Sequence, residues 1–375
     1  MMKLAKLPVI GIQITLCALS LASWACRKRA ADAPPLPFVA FVANRKSASV
    51  TAVDLADFQV ASKLSVAPDP EDIAVRPQSR ELYVVSGSGT VSVIAFGELQ
   101  VTKALAIGRS ARDLVFDPHG SQAFVLAPDS GEIVVIDCDE FREVARVRLG
   151  PKLSNLAISP DGRTLVAADS ASHKLFFVDA GDRKVQGSLK VGTRPGSMVI
   201  LPDSSKVFLA DTGEPKITVV DLLSRALLAN LETGTPPSTL VLKPDGGEIF
   251  VLSAQGSTLT IVDAFHNNVE QSSLTTGPNP SAAVLRADAS VLYIATAGDG
   301  NILALDAPDR QTLASTHVGI SPRALALTPD ERYLVVADSG SSSLAVLRTD
   351  RNALVTTVPV GEEPVDVVIP PWQRR

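Results

Sequence analysis

Three carboxylates are the side chains best placed to do chemistry in this sequence. Asp72, Asp113 and Asp366 each precede a short aliphatic run that has the length of a β-strand. Carboxylate oxygens are the ligands that Ca²⁺ prefers, and grouped acids also attract cationic molecules. Such a site requires a fold that brings together residues that lie far apart in the chain.

The sequence offers few other reactive groups. Four His and three Cys are spread over 375 residues, and there is no Cys-x-x-Cys-His, no Gly-x-Ser-x-Gly and no phosphate-binding Gly-rich loop. Cys138 stands alone after a predicted turn, which is typical of an inert thiol. We therefore predict no catalytic residues and no cofactor, and we favour a binding protein over an enzyme.

The composition narrows the class of partner. Hydrophobic residues make up 46% of the chain and charged residues 20%, which is a globular balance. The net charge is −5, so the basic excess expected of a nucleic-acid-binding protein is missing. A protein or a small molecule is the expected partner, and we expect a monomer.

A repeat of about 42 residues runs through the sequence and decides the expected fold. An aromatic residue or Val recurs at Phe41, Tyr83, Phe124, Val166, Phe208, Phe250, Tyr293 and Val335. A Gly recurs at Gly108, Gly150, Gly192, Gly234, Gly277, Gly319 and Gly361, for which we predict turns with positive φ. The common register indicates one domain of eight units, although the length alone suggests two or three domains.

Each unit contains four apolar runs of strand length, separated by segments too short for helices. In residues 77–118 the runs are 82–85, 91–94, 104–107 and 114–116. Four strands per unit of this length are typical of a blade of a β-propeller. The fourth run is the most uniformly apolar, so we expect that strand to be buried on both faces.

The repeat resembles the YVTN-type propeller repeats of exported bacterial and archaeal proteins, which are similar to NHL repeats. The resemblance rests on residues 83–86 (YVVS), 41–44 (FVAN) and 293–296 (YIAT), each followed by a Gly/Ser loop and a VxVxD-like strand. It covers about residues 38–370 and implies an all-β fold in which the run that ends each unit is the innermost strand. The family is also similar to the eight-bladed haem domain of nitrite reductase, which implies haem handling as an alternative activity.

This register predicts how the ring closes. The chain enters the propeller at Phe38 with a second strand and ends near Pro370 with an innermost strand. Residues 365–369 should therefore join the sheet of residues 38–66 and complete the eighth blade. Eight units predict eight blades; seven blades, the alternative, would leave one unit outside the ring.

Ligands of propellers usually bind at the channel mouth, on loops that enter the innermost strands. The first column of such residues is Asp72, Asp113, Asn155, Ser197, Thr239, Ala282, Ala324 and Asp366. The column before it is Glu71, Arg112, Ser154, Gly196, Ser238, Ser281, Arg323 and Val365. Ring closure would gather Asp366, Asp72 and Asp113 into an acidic arc, which Glu71, Glu362 and Glu363 extend. Arg109, Arg112, Lys152 and Arg194 would form a basic arc beside it.

Two interpretations of the acidic arc remain open. The carboxylates could bind Ca²⁺ or a cationic ligand, or they could simply cap the starts of strands, as acids at turns often do. Arg112 and Arg323 are the basic residues that could offset their charge. His119, His173, His266 and His317 fall on different faces or blades, so we expect no His-based metal site. Asp169, Asp211 and Asp338 should close loops by local hydrogen bonds.

The N-terminal residues indicate export. A basic start at Lys3 and Lys6 precedes an uncharged run that ends before Cys26. Cys26 resembles the acylated Cys of a bacterial lipobox; plain cleavage or an uncleaved anchor are the alternatives. We therefore divide the chain into a signal peptide (1–25), a tether (26–37), a single propeller (38–370) and a tail (371–375).

Two functions follow from this sequence. The first is a periplasmic or cell-surface propeller, held to the membrane only by its N-terminal lipid, that binds a protein or a small molecule without catalysis. The second is a protein that handles haem, or a lactonase-like hydrolase, that uses the acidic channel mouth. We predict no cofactor for the first and retain Ca²⁺ as a candidate ion at Asp72, Asp113 and Asp366.

Overall fold

The computed structural model describes residues 38–371, which form eight four-stranded antiparallel sheets. The signal peptide, Cys26 and the tether lie outside the described residues, as do residues 372–375 of the tail. The 32 strands contain alternating or continuous apolar residues bounded by turns, and no α-helix occurs between residues 38 and 371. The all-β fold predicted from the repeat is confirmed.

Each blade contributes one strand at each of four levels from the channel outward. The innermost strands are β4 (Pro70–Val75), β8 (Leu114–Phe116), β12 (Leu153–Ile158), β16 (Pro195–Ile200), β20 (Thr239–Leu242), β24 (Pro280–Leu285), β28 (Pro322–Leu327) and β32 (Pro364–Val368). The second strands are β1 (Val39–Asn44), β5 (Glu81–Ser86), β9 (Gln122–Ala127), β13 (Thr164–Asp169), β17 (Lys206–Asp211), β21 (Glu248–Ser253), β25 (Val291–Thr296) and β29 (Tyr333–Asp338).

The two outer levels complete the sheets. The third strands are β2 (Ser49–Asp54), β6 (Thr90–Ala95), β10 (Glu132–Asp137), β14 (Lys174–Asp179), β18 (Lys216–Asp221), β22 (Thr258–Asp263), β26 (Asn301–Asp306) and β30 (Ser343–Arg348). The outermost strands are β3 (Gln59–Ser65), β7 (Gln100–Ala106), β11 (Arg142–Arg148), β15 (Val185–Lys190), β19 (Leu227–Glu232), β23 (Asn268–Thr275), β27 (Thr312–His317) and β31 (Ala353–Pro359). We number the blades 1 to 7 from β4–β7 to β28–β31, and blade 8 consists of β3, β2, β1 and β32.

The ring closes as predicted. Strand β32 pairs antiparallel with β1, with Phe41 opposite Val368 and Ala43 opposite Asp366. Each innermost strand also contacts the innermost strand of the next blade, and the series returns through β32 to β4. Because the last strand covers the inner edge of β1, closure gives blade 8 the same four strands as the other blades.

Burial corrects one expectation about the strands. The second strands are almost fully buried, with every residue of β1 buried, whereas β4 alternates between buried and half-buried positions. The innermost strands are therefore not covered on both faces, because one of their edges and part of their side chains line the central channel. One apolar cluster fills each of the eight junctions between neighbouring blades in the described chain.

Connections alternate between two faces of the ring. The mouth face carries the loops that enter the innermost strands and the loops between second and third strands. The opposite face carries the turns that leave the innermost strands and those between third and outermost strands. On this opposite face, turn residues reach back to the preceding blade: Phe58 packs edge-on against Tyr333 at 5.5 Å, and Phe141 against Tyr83 at 5.7 Å.

Candidate functional site

The acids at the mouth link neighbouring blades. Asp366 Oδ2 accepts a hydrogen bond of 3.2 Å from the backbone amide of Ile73, the next blade's innermost strand. Asp72 accepts one from Leu114 at 2.9 Å, and Asp113 accepts one from Leu156 at 2.9 Å. The column thus caps strands, as one of our interpretations held, but each acid caps the strand of the following blade and not its own.

The same role extends to a neutral residue of this column. Ser197 Oγ accepts a hydrogen bond of 3.2 Å from the amide of Leu240 in blade 5. Asn155 stands at the equivalent position of β12 and is half-buried. Because a hydroxyl serves in place of a carboxylate, the link between blades does not itself require charge. The carboxylates of blades 8, 1 and 2 therefore carry a charge that the fold does not need.

Two of the three carboxylates form a pair. The side chains of Asp72 and Asp366 are hydrogen-bonded to each other, and Asp113 is close enough to affect Asp72. Burial raises the pKa of Asp366 to about 6. Burial also raises the pKa of Asp72 well above its ordinary value, and the charges of Asp366 and Asp113 raise it further. The raised pKa favours a proton on Asp72, and such a proton, donated to Asp366, would offset the repulsion between the two like charges.

An arginine that we did not single out in the sequence neutralises the outer part of the acidic arc. Arg45, in the turn between β1 and β2, forms ion pairs with Glu71 at 2.6 Å, Glu363 at 3.2 Å and Asp69 at 3.3 Å. Lys46 also contacts Glu363 at 3.3 Å. The sequence did indicate that Arg45 lies near these acids, because turns between second and third strands share a face with the acidic loops.

The column before these acids includes serines that link blades and arginines that do not. Ser154 Oγ donates to the carbonyl of Pro195 at 2.9 Å, and Ser281 Oγ donates to that of Pro322 at 2.6 Å, so both serines link blades. Arg112 and Arg323 occupy the same column in blades 2 and 7, but they are exposed. Neither forms an ion pair within residues 38–371. Burial raises the pKa of Asp113 and of Asp366, and the charges of Arg112 and Arg323 oppose that shift only from a distance.

The rest of the basic arc is also unpaired in the described part of the chain. Arg109, Lys152 and Arg194 are exposed on the mouth loops of blades 2, 3 and 4 and have no ion-pair partner there. Near them, a cavity of about 340 Å³ is lined by Arg109, Ser110, Asp129 and Arg146, among others. The structure thus inverts the expected charge pattern: the acids of the arc other than the exposed Glu362 are engaged, and the bases are available.

The aspartates at the ends of the second strands behave in two ways. Asp169 Oδ1 accepts from the amide of Ala171 at 2.8 Å, and Asp211 Oδ1 accepts from Arg194 and Gly213 at 2.9 Å, so both close loops as predicted. Asp338 is fully buried, and neither of its carboxyl oxygens has a partner among residues 38–371. Burial raises the pKa of Asp338 to about 7.

These buried acids explain part of the Gly column. A Cβ on Gly192 would lie 1.5 Å from Asp211 Oδ2, and one on Gly150 would lie 1.8 Å from Asp169 Oδ2. Neither glycine has a positive φ, whereas Gly234 has a φ of 77° and Gly277 of 98°. Gly319 and Gly361 also lack a positive φ, so our expectation of positive φ throughout the column was wrong for four of its seven glycines, on each of which a side chain packs directly.

The remaining candidates do not converge. His173 Nδ1 contacts the carbonyl of Thr193 on the mouth face, and His266 contacts Asp263 on the opposite face. Cys138 is buried, and burial raises the pKa of its thiol to about 11. Within residues 38–371 no group of three or more His, Cys, Asp or Glu side chains is arranged to hold a metal ion. No helix in that range has the length and hydrophobicity to cross a membrane.

Comparison with known proteins supports the propeller fold. The model of a family described as "Lactonase, 7-bladed beta-propeller" matches residues 183–368, just under half of the chain. The family description gives seven blades, whereas eight are observed here. The match begins in blade 3 and ends in the closing strand. No curated protein sequence matches the chain.

Several solved structures share the fold at low sequence identity. Dihydro-heme d1 dehydrogenase NirN in complex with DHE has a TM-score of 0.75 and 17% identity, covering 90% of this chain and 76% of that one. Apo AztD from Citrobacter koseri has a TM-score of 0.65 and 16% identity, covering 89% and 98%. Hydrazine synthase from Kuenenia stuttgartiensis has a TM-score of 0.59 and 21% identity, covering 75% and 95%. The chain is thus similar in architecture to propellers of varied description.

Proposed function

We propose that this protein is a binding propeller whose channel mouth takes an anionic ligand and performs no chemistry on it. The observation that carries the proposal is the pair Arg112 and Arg323, which replace blade-linking serines in their column and are exposed without an ion-pair partner in the described chain. Guanidinium groups bind carboxylates and phosphates through paired hydrogen bonds. Such residues suit recognition and have no evident role in stability.

The state of the acids supports an anion over a cation. Arg45 pairs with Glu71 and Glu363, and burial raises the pKa of both Asp72 and Asp366, so the acidic arc carries less free negative charge than its residues suggest. Arg109, Lys152 and Arg194 add three further cations on consecutive blades. An anion that enters the mouth therefore meets more free positive than free negative charge, and a focused field of this kind raises its local concentration.

A binding experiment tests the proposal directly. Citrate, succinate and inorganic phosphate are titrated into the purified protein while its melting temperature is followed, since a ligand of the folded state raises it by mass action. We expect at least one of these anions to raise the melting temperature, and Arg112→Gln with Arg323→Gln to abolish the rise. The control is Arg80→Gln, an exposed arginine on the opposite face. No rise for any anion, or a rise that the double variant retains, would contradict the proposal.

We place this function in the cell envelope. The resemblance to YVTN-type repeats supports export, as does the uncharged run before Cys26, whose acylation would anchor the protein. Fractionation of cells that express Cys26→Ser tests the anchor, because the variant should move from the membrane to the soluble extracytoplasmic fraction. Mass spectrometry that finds an unmodified Cys26, or an intact segment 1–25, would refute the acylation.

Hydrolysis is a second candidate, and the family match to lactonases favours it. Asp72 and Asp366 are hydrogen-bonded carboxyls with raised pKa values, so they could supply an acid next to a base, the minimum that general acid–base catalysis requires. A panel of lactones tests this candidate: hydrolysis that disappears in Asp72→Asn would favour an enzyme over a binding protein. Hydrolysis that persists in Asp72→Asn would exclude the pair as its source.

Haem handling is a third candidate, because one similar structure is a dihydro-heme d1 dehydrogenase in complex with DHE. The mouth fits only part of such a ligand. Arg112 and Arg323 could bind its carboxylates, but the inner-strand column at the mouth contains no His, Cys, Met or Tyr, the residues that ligate haem iron. A visible absorption band in the purified protein tests this candidate.

A further inference from the structure

Two exposed apolar side chains distinguish blades 4 and 5 on the face opposite the mouth. The second residue after each third strand occupies the same place in all eight turns: Ala56, Gly97, Asp139, Gly181, Leu223, Phe265, Pro308 and Asp350. Six of these residues are small, cyclic or acidic. The other two, Leu223 and Phe265, lie on neighbouring blades and are 90% and 62% exposed.

The turns hold both side chains in place. Lys206 Nζ donates to the carbonyls of Ala264 and Phe265 at 3.0 and 3.1 Å, and the amide of Phe265 donates to Asp263 at 2.8 Å. The turn that presents Leu223 is fixed by Asp221, whose carboxylate accepts from the amide of Ser224 at 2.7 Å. Because the backbone is tied down, these side chains cannot fold back, and a partner that covers them pays little ordering entropy.

A cavity with unsatisfied donors adjoins Leu223. It has a volume of about 260 Å³, lies between blades 3 and 4, and is lined by Arg163, Gln186, Leu223 and Arg225, among others. The Arg163 side chain is 84% exposed and touches only Asp161, at 3.9 Å, among the described residues. Arg225 donates through Nη2 to Gln186 Oε1, whereas its Nε is buried and has no hydrogen-bond partner in the same range.

The acids in this cavity are already occupied. Asp161 accepts hydrogen bonds from Ser159 Oγ at 2.5 Å and from the amide of Arg163 at 3.0 Å. Asp179 accepts from the amide of Asp182 at 2.8 Å and from Gln186 Nε2 at 3.0 Å. The acceptors of the cavity are therefore engaged, while Arg163, held only at 3.9 Å by Asp161, can still take a further carboxylate, and the volume suits a side chain and not a large molecule.

From this arrangement we propose that blades 3 to 5 form a docking surface for a partner protein, on the face opposite the channel mouth. The partner presents a segment with an Asp or Glu whose carboxylate enters the cavity between Arg163 and Arg225. Apolar residues next to that acid pack on Leu223 and Phe265. The charge complementarity and the rigid apolar side chains favour such a segment over a small anion, which would leave Leu223 and Phe265 exposed.

A random dodecapeptide display library selected against the full chain tests the proposal. We expect the selected peptides to carry an acid within a few positions of Leu, Ile or Phe. The consensus peptide should bind at least about tenfold more weakly to Arg163→Gln with Arg225→Gln, and to Leu223→Ser with Phe265→Ser. Pro308→Ser, at the same turn position in blade 6, and Arg80→Gln, on the same face in blade 1, are controls that should not change binding.

Three results would overturn the proposal. The first is a selection without enrichment, and the second is a consensus that binds both double variants as well as the unaltered chain. The third is binding to phosphatidylcholine vesicles that depends on Leu223 and Phe265 but not on the arginines, which would assign this face to a membrane. Since none of these four residues lies at the mouth, the outcome is independent of the anion-binding proposal.

Discussion

The carboxylate of Asp366 accepts a hydrogen bond of 3.2 Å from the amide of Ile73, a residue 293 positions away. This bond joins the last innermost strand of the chain to the first. Asp72 and Asp113 make the same contact to the two blades that follow, at 2.9 Å each. The residues that resembled a cation site in the sequence are thus the links that hold three consecutive blades together.

We expect Asp366→Ala to destabilise the ring by about 1–3 kcal/mol, because it leaves the buried amide of Ile73 without an acceptor. Asp366→Asn keeps an acceptor oxygen and should cost less. Urea denaturation of both variants measures the difference. Ser197→Ala, which removes the equivalent acceptor for Leu240, is the comparison in a neutral environment. Equal stability of Asp366→Ala and the unaltered protein would show that this link contributes nothing.

Removal of residues 364–375 should lower the melting temperature strongly, because it deletes β32 and exposes the inner edge of β1. Removal of residues 371–375 alone is the matched control, since it leaves all 32 described strands in place. Differential scanning calorimetry on the two truncations measures the effect. An unchanged melting temperature in the longer truncation would contradict closure through β32.

Gly192→Ala should destabilise the protein by about 1–3 kcal/mol, because the new methyl group would overlap Asp211 Oδ2. The carboxylate cannot easily move, since it accepts hydrogen bonds from Arg194 and Gly213. Gly97→Ala is the control, with no atom within 4 Å of the new Cβ. In a double-mutant cycle with Asp211→Ala the two losses should be less than additive; additive losses would refute the contact.

The repeat predicted the blades well because it is a local signal. The aromatic column, the strand lengths and the place of residues 365–369 all follow from the spacing of apolar residues and turns, which is independent of distant contacts. The sequence also placed Asp72, Asp113 and Asp366 on one arc, since ring closure follows from the register of the first and last units.

The charge state of the mouth could not be read in this way. Whether Asp72 is paired, protonated or free depends on distances between side chains of different blades, and whether Arg45 reaches Glu71 and Glu363 depends on rotamers. The strength of such interactions also depends on burial, which the sequence gives only indirectly. The sequence also could not show why residue 192 is Gly, because the neighbouring carboxyl, and not the backbone angle, excludes a side chain there.

The stability of the protein should fall as the pH rises from about 4 to 7, in part because of Asp338. Burial raises the pKa of this carboxyl from 3.8 to about 7, so over this range the folded state keeps a proton that the unfolded state has lost. The shift corresponds to roughly 4 kcal/mol of unfolding free energy, which is fully lost above pH 7. Asp366, with a pKa of about 6, acts in the same direction.

Asp338→Asn isolates this contribution. An amide cannot ionise, and Asn44 occupies the equivalent place in blade 8, where its side chain donates to the carbonyl of Val42. We expect urea midpoints of the variant to depend less on pH between 4 and 7 and to exceed those of the unaltered protein at pH 8. Identical pH profiles for the two proteins would exclude Asp338 as a titrating group in this range.

Calcium distinguishes the two interpretations of the acidic arc. The oxygens of Asp72, Asp113 and Asp366 that accept backbone amides are already engaged, and the raised pKa of Asp72 favours a proton over a metal ion between Asp72 and Asp366. We therefore expect a calcium titration at pH 7 to leave the melting temperature unchanged, because an ion that does not bind the folded state cannot stabilise it. Arg323→Ala should instead destabilise the ionised form of Asp366 slightly.

The double variant Asp72→Asn with Asp366→Asn, which removes both charges, completes this test. If calcium binds, its effect should rise with pH as the pair loses its proton, and Asp72→Asn with Asp366→Asn should abolish it. If the proton suffices, this double variant should be at least as stable as the unaltered protein at pH 8, because it removes the like charges and retains the acceptor for Ile73. A calcium-dependent rise in melting temperature that the double variant lacks would restore the cation site that the sequence suggested.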